Sequence, residues 1–147
     1  MDDRGTSVVV NYVTAIGVIA ILVVSLFVGL GGFVENQQER AVRSELDVVG
    51  NRVAVDLGVA DRLARSATGS DGVTVRTELP ERAAGTRYRI ELSREGSGLY
   101  AVTLRASDPE VTVEVGVRLR TAVTETTVSG GDLRLRYESG SVVVTNA

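Results

Sequence analysis

The feature that most constrains this chain is an uninterrupted apolar stretch near its N-terminus. Residues 8–34 are 27 consecutive positions without a charged side chain. A helix that crosses a membrane needs about 20 predominantly apolar residues. A secretory signal has a shorter apolar region, of about 7–15 residues, followed by a small-residue cleavage motif that this sequence lacks. No other segment is apolar enough to enclose such a helix in a soluble core, so the sequence predicts one transmembrane helix over residues 6–34.

A helical pattern continues over residues 35–70, but its character changes. Apolar residues recur every three or four positions, as on one face of an amphipathic helix: Val42, Leu46, Val49, Val53, Leu57, Ala60, Ala64 and Ala67. The helix is predicted to end near Ala67, because the helix-breaking sequence Thr68-Gly-Ser-Asp-Gly72 follows. We expect burial of this stripe to increase from Val49 towards Ala64, with Val42 left outside the core of the domain.

Residues 71–147 switch to the two-residue alternation that is typical of β-strands. The clearest run has valines at every second position, namely Val111, Val113, Val115 and Val117. Turn sequences at 95–98, 129–132 and 138–141 separate such runs. Short connections favour an antiparallel sheet of about five or six strands, with one apolar and one charged, solvated face. The sequence therefore predicts an α+β fold in which the amphipathic helix covers the apolar face of the sheet.

The composition excludes several kinds of chemistry. The chain has no cysteine and no histidine, and all 16 basic residues are arginine. Cysteine nucleophiles, Ser–His dyads, Schiff-base lysines and histidine-based metal sites are therefore excluded. No pair of carboxylates stands out as a catalytic couple, and we expect a protein that is not an enzyme and needs no cofactor or metal. Replacement of lysine by arginine, with an acidic isoelectric point, indicates a salt-loving organism.

Arginines at outward strand positions raise the question of nucleic-acid binding. Residues 71–147 contain ten arginines and eleven acidic residues, so the net charge of this region is −1. Nucleic-acid binding draws its affinity from a positively charged surface. A solvated face of cross-strand ion pairs is the better interpretation, and we expect no nucleic-acid partner.

The N-terminal sequence Asp2-Asp-Arg-Gly5-Thr-Ser7, directly before the apolar stretch, resembles the class III prepilin-type signal of haloarchaeal type IV pilin-like proteins. The similarity extends through residues 35–52 and 61–64. It implies that a prepilin peptidase cuts between Gly5 and Thr6, and that the apolar helix serves first as a membrane anchor and then as a filament core. Many pilins carry glutamate at the fifth mature position, where this chain has Val10.

The resemblance also implies a lollipop-shaped subunit with residues 1–5 as leader, its N-terminus inside the cell and the β domain of residues 71–147 outside. The arginine count alone points the other way, because Arg4 precedes the span whereas Arg40, Arg43 and Arg52 follow it.

Two functions remain open at this point. The first is a pilin-like structural subunit of a surface filament or of a secretion or adhesion pseudopilus, which has the membrane and other pilin-like subunits as partners. Small residues in the anchor, Gly17, Gly29 and Gly32, would then allow close approach of neighbouring helices. The second is a monomeric binding module, anchored in the cell membrane, whose extracellular β domain recognises a ligand.

Overall fold

The computed structural model describes the backbone of residues 3–66 and 73–147, and the side-chain surroundings of residues 9–29, 36–66 and 73–147. One α-helix, α1, spans Asp3–Ser66. The helix is described as far as Ser66, and its predicted end near Ala67 lies outside the described residues. The chain divides into two compact units, residues 1–37 and residues 38–147.

The second unit contains the last part of α1 and, within the described residues, nine β-strands. They are β1 (Thr74–Thr77), β2 (Arg82–Ala83), β3 (Thr86–Gly96), β4 (Leu99–Ser107), β5 (Glu110–Arg118), β6 (Ala122–Val123), β7 (Thr126–Ser129), β8 (Leu133–Glu138) and β9 (Ser141–Asn146). Strand alternation and turn residues were predicted at the right places. In the β8–β9 turn, for example, Ser139 and Gly140 both have positive φ, as a two-residue hairpin requires.

The strands form two sheets rather than the single sheet expected from the sequence. The first has the order β1-β8-β9-β6, and the second has the order β2-β3-β4-β5 with β7 also paired to β3. The segment 122–129 joins them, because its first half pairs with β9 and its second half pairs with β3. The predicted α+β fold with antiparallel strand pairing is confirmed, since all the other strand pairs of the described residues are antiparallel and only the short β6–β9 pair is parallel.

A side chain strengthens the junction between the two sheets. Asn146, at the end of β9, accepts a hydrogen bond from the backbone N–H of Ser129 at 3.3 Å. The same amide donates to the carbonyl oxygen of Ser129 at 2.9 Å. These two bonds tie the last strand of the first sheet to β7 of the second.

The apolar stripe of α1 packs against both sheets, so the helix and the strands share one core. The stripe residues from Val42 to Ala60 belong to the same cluster of buried side chains as Ile90, Leu104 and Leu135. The expected gradient of burial is wrong, because Val42 and Leu46 are both 0% exposed whereas Ala64 is 7% exposed. The stripe is buried from its first residue, so Val42 is a core residue and does not lie outside the core.

The outer face of the second sheet is not uniformly solvated. Ala101 and Thr103 point away from the helix on β4, and yet they are only 1% and 6% exposed. Strand β4 lies between β3 and β5, so that Thr103 has Glu91 on one side and Glu114 on the other. These larger neighbours shield the centre of the face, which corrects the prediction of a fully solvated surface.

Gly50 marks the closest approach of α1 to the second sheet. A Cβ at this position would lie 2.8 Å from Leu104 Cδ1 and 2.9 Å from Val115 Cγ2. Both distances are shorter than van der Waals contact, and Leu104 is fully buried and has little room to move. Gly50 therefore sets the distance between helix and sheet.

We expect Gly50→Val to destabilise the folded unit by about 1–3 kcal/mol, because overpacking forces side chains and backbone to shift. Gly58→Val is the matched control, since a Cβ at Gly58 meets no atom within 4 Å. That control should leave the stability unchanged within about 0.5 kcal/mol. Urea unfolding of residues 35–147 measures both, and equal stability of the two variants would contradict the close approach at Gly50.

Candidate functional site

The first candidate surface is the apolar part of α1. Residues Val9–Gly29 form a helical segment of 21 residues with a mean hydropathy of 2.5, and none of it is buried in the chain. At 1.5 Å per residue the segment is about 31 Å long, which matches the hydrocarbon thickness of a bilayer. Within the described part of the chain, it is the one helix that is long and apolar enough to cross a membrane.

Two polar side chains of this segment, Thr14 and Ser25, are compatible with lipid. The Thr14 hydroxyl donates a hydrogen bond to the carbonyl oxygen of Val10, and the Ser25 hydroxyl donates to that of Ile21, both at 2.8 Å. A hydroxyl that is bonded within its own helix leaves no unsatisfied donor in a hydrocarbon environment.

The glycines predicted to allow helix association lie in or next to this segment. A Cβ at Gly17 or Gly29 would meet no atom within 4 Å, so contacts within the chain do not account for either residue. Gly32 and the predicted processing residues Gly5 and Thr6 belong to α1, but their surroundings lie outside the described residues.

The second candidate surface was missed in the sequence. On the part of α1 that belongs to the second unit, Val48, Val55 and Leu63 are 68%, 60% and 44% exposed. Val48 and Val55 lie on the side of the helix opposite the buried stripe, and Leu63 lies between the two sides. We call the side formed by Ala41, Ser44, Val48, Asn51, Val55 and Gly58 the outer helix face; all of these residues are exposed except Gly58, which is half-buried. The large apolar residues of this face, Val48 and Val55, are seven positions apart. They were overlooked because the buried stripe has an apolar residue at every third or fourth position.

The third candidate surface is a groove of about 860 Å³ on the outer face of the second sheet, lined in part by Arg87, Arg89 and Arg105. Arg89 lies directly across from Arg105 on β4 and from Ser129 on β7. Arg105 pairs with Glu91 at 3.5 Å, and both side chains are largely exposed. The predicted network of cross-strand ion pairs is thus sparse in the described residues, because like charges face each other at Arg89 and Arg105.

Tyr88 also lines the groove, and its surroundings indicate a structural role. Its hydroxyl donates a hydrogen bond to the carbonyl oxygen of Pro80 at 2.6 Å. Burial raises the pKa of Tyr88 to about 12. The hydroxyl therefore stays protonated at neutral pH and holds the loop before β2. The described residues contain no group of three acidic side chains placed to hold a metal ion.

Asp61 connects the end of α1 to the segment after β5. Its carboxylate accepts hydrogen bonds from the backbone N–H groups of Thr121 at 2.7 Å and Arg120 at 3.1 Å. It also pairs with Arg65 at 3.3 Å. Burial raises the pKa of Asp61, but the bonds from Thr121 and Arg120 and the charge of Arg65 outweigh it, so that the pKa lies below its usual value.

A carboxyl whose pKa is lowered by folding stabilises the protein above its unfolded pKa of about 3.9, and this contribution is lost as the pH falls through the lower folded pKa. We therefore expect Asp61→Asn to destabilise residues 35–147 by about 1–3 kcal/mol at pH 7, and by much less at pH 2. Denaturant unfolding at both pH values measures the difference. Asp47→Asn, at an exposed position on the same helix, is the control and should have little effect at either pH.

Comparison with protein-family models matches residues 1–146 to a family of unknown function, DUF7266. The chain belongs to this family. No curated protein and no solved structure gives a significant match. Because the match to DUF7266 covers the apolar segment and the β-rich unit together, the family comprises both parts.

Proposed function

We propose that the chain is a pilin-like structural subunit of an archaeal type IV pilus-like filament or pseudopilus, anchored in the membrane by residues 9–29. One observation carries the proposal, namely that α1 contains an apolar span with no buried residues and also supplies about a quarter of the buried core of the β-rich unit. The anchor and the folded unit thus share one helix. The sequence before the span, with Gly5 and Thr6 at the expected cleavage point, supports the same function.

In this proposal the anchor first holds the subunit in the lipid and later exchanges lipid contacts for contacts with other anchors. Such an exchange depends on van der Waals packing, because lipid and helix side chains are equally apolar. Gly17 and Gly29 suit it, since each leaves open space beside the helix. The β-rich unit then lies outside the cell, with other pilin-like subunits and a prepilin peptidase as partners.

Mass spectrometry of the chain extracted from its native membrane tests this function. We expect the loss of Met1 to Gly5, and we expect Gly5→Val to leave the leader attached. Ser7→Ala lies on the other side of the cut and is the control that should still be processed. A mature chain that retains Met1 would contradict the pilin-like function while leaving the membrane anchor intact.

The groove on the outer sheet face favours a second function, a monomeric membrane-anchored binding module. Its size lies within the range of about 300–1,000 Å³ that is common for ligand sites, and both arginine and glutamate side chains line it. This function requires an intact N-terminus and a chain that stays monomeric in the membrane. The same mass spectrum, together with cross-linking, distinguishes the two functions.

A further inference from the structure

The outer helix face has the spacing of a helix–helix seam. Ala41, Val48 and Val55 recur every seven residues, and Ser44, Asn51 and Gly58 follow each of them by three. When two helices pack along each other, the residues at these two positions of a seven-residue repeat face the partner helix. In this chain the first position is apolar and the second is small or polar. The face is exposed, with Val48 and Val55 at 68% and 60%, so contacts within the chain do not explain it.

The charges that flank this face are arranged for a parallel copy of the same helix. Arg40 and Asp47 lie on one flank, and Glu45 and Arg52 lie on the other. In two parallel helices in register, a residue on the first flank faces the residue five positions later on the partner helix. Arg40 then faces Glu45 of the second copy, and Asp47 faces Arg52 of the second copy. Both contacts join opposite charges.

These side chains are free to make such contacts. Arg40 and Asp47 are exposed, and within the described residues neither side chain has an ionic partner. Arg52 is 63% exposed and pairs with Asp56 at 3.3 Å, a contact it can exchange for one across a seam. Glu45 is half-buried, and its Oε2 accepts a hydrogen bond from the backbone N–H of Ala84; a carboxylate can accept further bonds, so Glu45 can keep this contact and pair with a cation across the seam.

We infer that two copies of this chain pair in parallel and in register through the outer helix face. The inference rests on the proposed function in one respect, because anchoring in a common membrane gives both helices the same direction. The seam side chains are small, so the helices approach closely but bury little apolar surface. The pair is therefore weak between free domains and forms when the anchors concentrate the chains in the membrane.

Cysteine cross-linking in membranes tests this pairing, since the full-length chain has no cysteine of its own. Equivalent seam residues in register come within the Cα distance of about 4.4–6.8 Å that a disulfide requires. Oxidation of Val48→Cys or Val55→Cys should therefore give covalent dimers. Arg43→Cys is exposed on the same helix but away from the seam, and should give at most about a tenth of that yield.

Charge-reversal variants distinguish this specific pairing from disulfide formation by random collision. In the Val48→Cys chain, Asp47→Arg should lower the dimer yield by roughly ten-fold, because two attractive contacts in each dimer become repulsive. Arg52→Asp should do the same, and the two reversals together should restore the yield. An unchanged yield in the single reversals overturns the proposal, as does a double variant that stays low.

The outcomes also separate this inference from the proposed function. If the Val48→Cys chain cross-links only to the Val55→Cys chain and neither cross-links to itself, the contacts are staggered as in a filament, and pairing in register is overturned. Removal of the leader without a dimer at position 48 or 55 overturns the pairing but leaves the proposed function standing. Dimers at these positions in a chain that keeps Met1 support the pairing and contradict the pilin-like function.

Discussion

A glutamate in place of Leu57 is expected to remove a large part of the folding stability of residues 35–147. Leu57 lies in the middle of the buried stripe and is 1% exposed. Its neighbours in the core are apolar, so a carboxylate there would have neither water nor an ionic partner. Such a charge lowers the free energy of unfolding by on the order of 3–5 kcal/mol. This is a large share of the total, because domains typically have a free energy of unfolding of about 5–15 kcal/mol. Urea unfolding of residues 35–147, followed by circular dichroism, measures the loss.

The chain offers a matched control two residues away. Val55→Glu introduces the same charge on the same helix, but Val55 is 60% exposed on the outer helix face. Its effect should stay within about 0.5 kcal/mol, as is usual for surface substitutions. Equal losses of stability in the two variants would mean that the helix does not present one buried and one free face.

Val42→Glu tests how far along the helix this core extends. The sequence alone led us to expect a negligible effect on the isolated unit, whereas complete burial of Val42 now predicts a loss close to that of Leu57→Glu. The early stripe was misjudged because periodicity shows which face of a helix is apolar but not what covers it. Only the folded structure shows that Val42 already belongs to the buried core.

Local pattern explains what was predicted correctly. The helix, the strands with alternating residues and the β8–β9 turn all follow from neighbouring residues in the sequence. The division into two sheets was missed because β6 has only two residues and so carries no alternation. Its pairing with β9 depends on contacts across the chain that no local pattern records.

The candidate surfaces, too, were predictable only where a local sequence pattern records them. The apolar span was predictable because composition alone defines a membrane helix. Gly50 was missed, since a single glycine in a helix does not indicate which residues approach it. The role of Asp61 depends on backbone groups 59 and 60 residues further along the chain. Lysine, histidine and cysteine are missing from the sequence, so catalytic and metal-binding roles of these residue types are excluded without knowledge of the fold.

Removing the helix is expected to have the largest effect of all, because residues 71–147 should not fold alone. Five large side chains of the stripe lie in the core, namely Val42, Leu46, Val49, Val53 and Leu57. Burial of one such side chain contributes roughly 1.5–3 kcal/mol, so the five together contribute on the order of 10 kcal/mol. This equals the whole stability of a typical domain. The fragment 71–147 should therefore aggregate and bind hydrophobic dyes, whereas residues 35–147 stay soluble.

Adding the helix back as a separate peptide gives the sharper test. A peptide of residues 38–66 should bind the fragment 71–147 at one to one, suppress dye binding and restore cooperative unfolding. The same peptide with Leu46→Asp and Leu57→Asp should fail, because both carboxylates would enter the core. The peptide with Val48→Asp and Val55→Asp carries the same added charge on its exposed side, and should succeed. A fragment 71–147 that is monomeric and unfolds cooperatively without any peptide would show that the sheets do not need the helix.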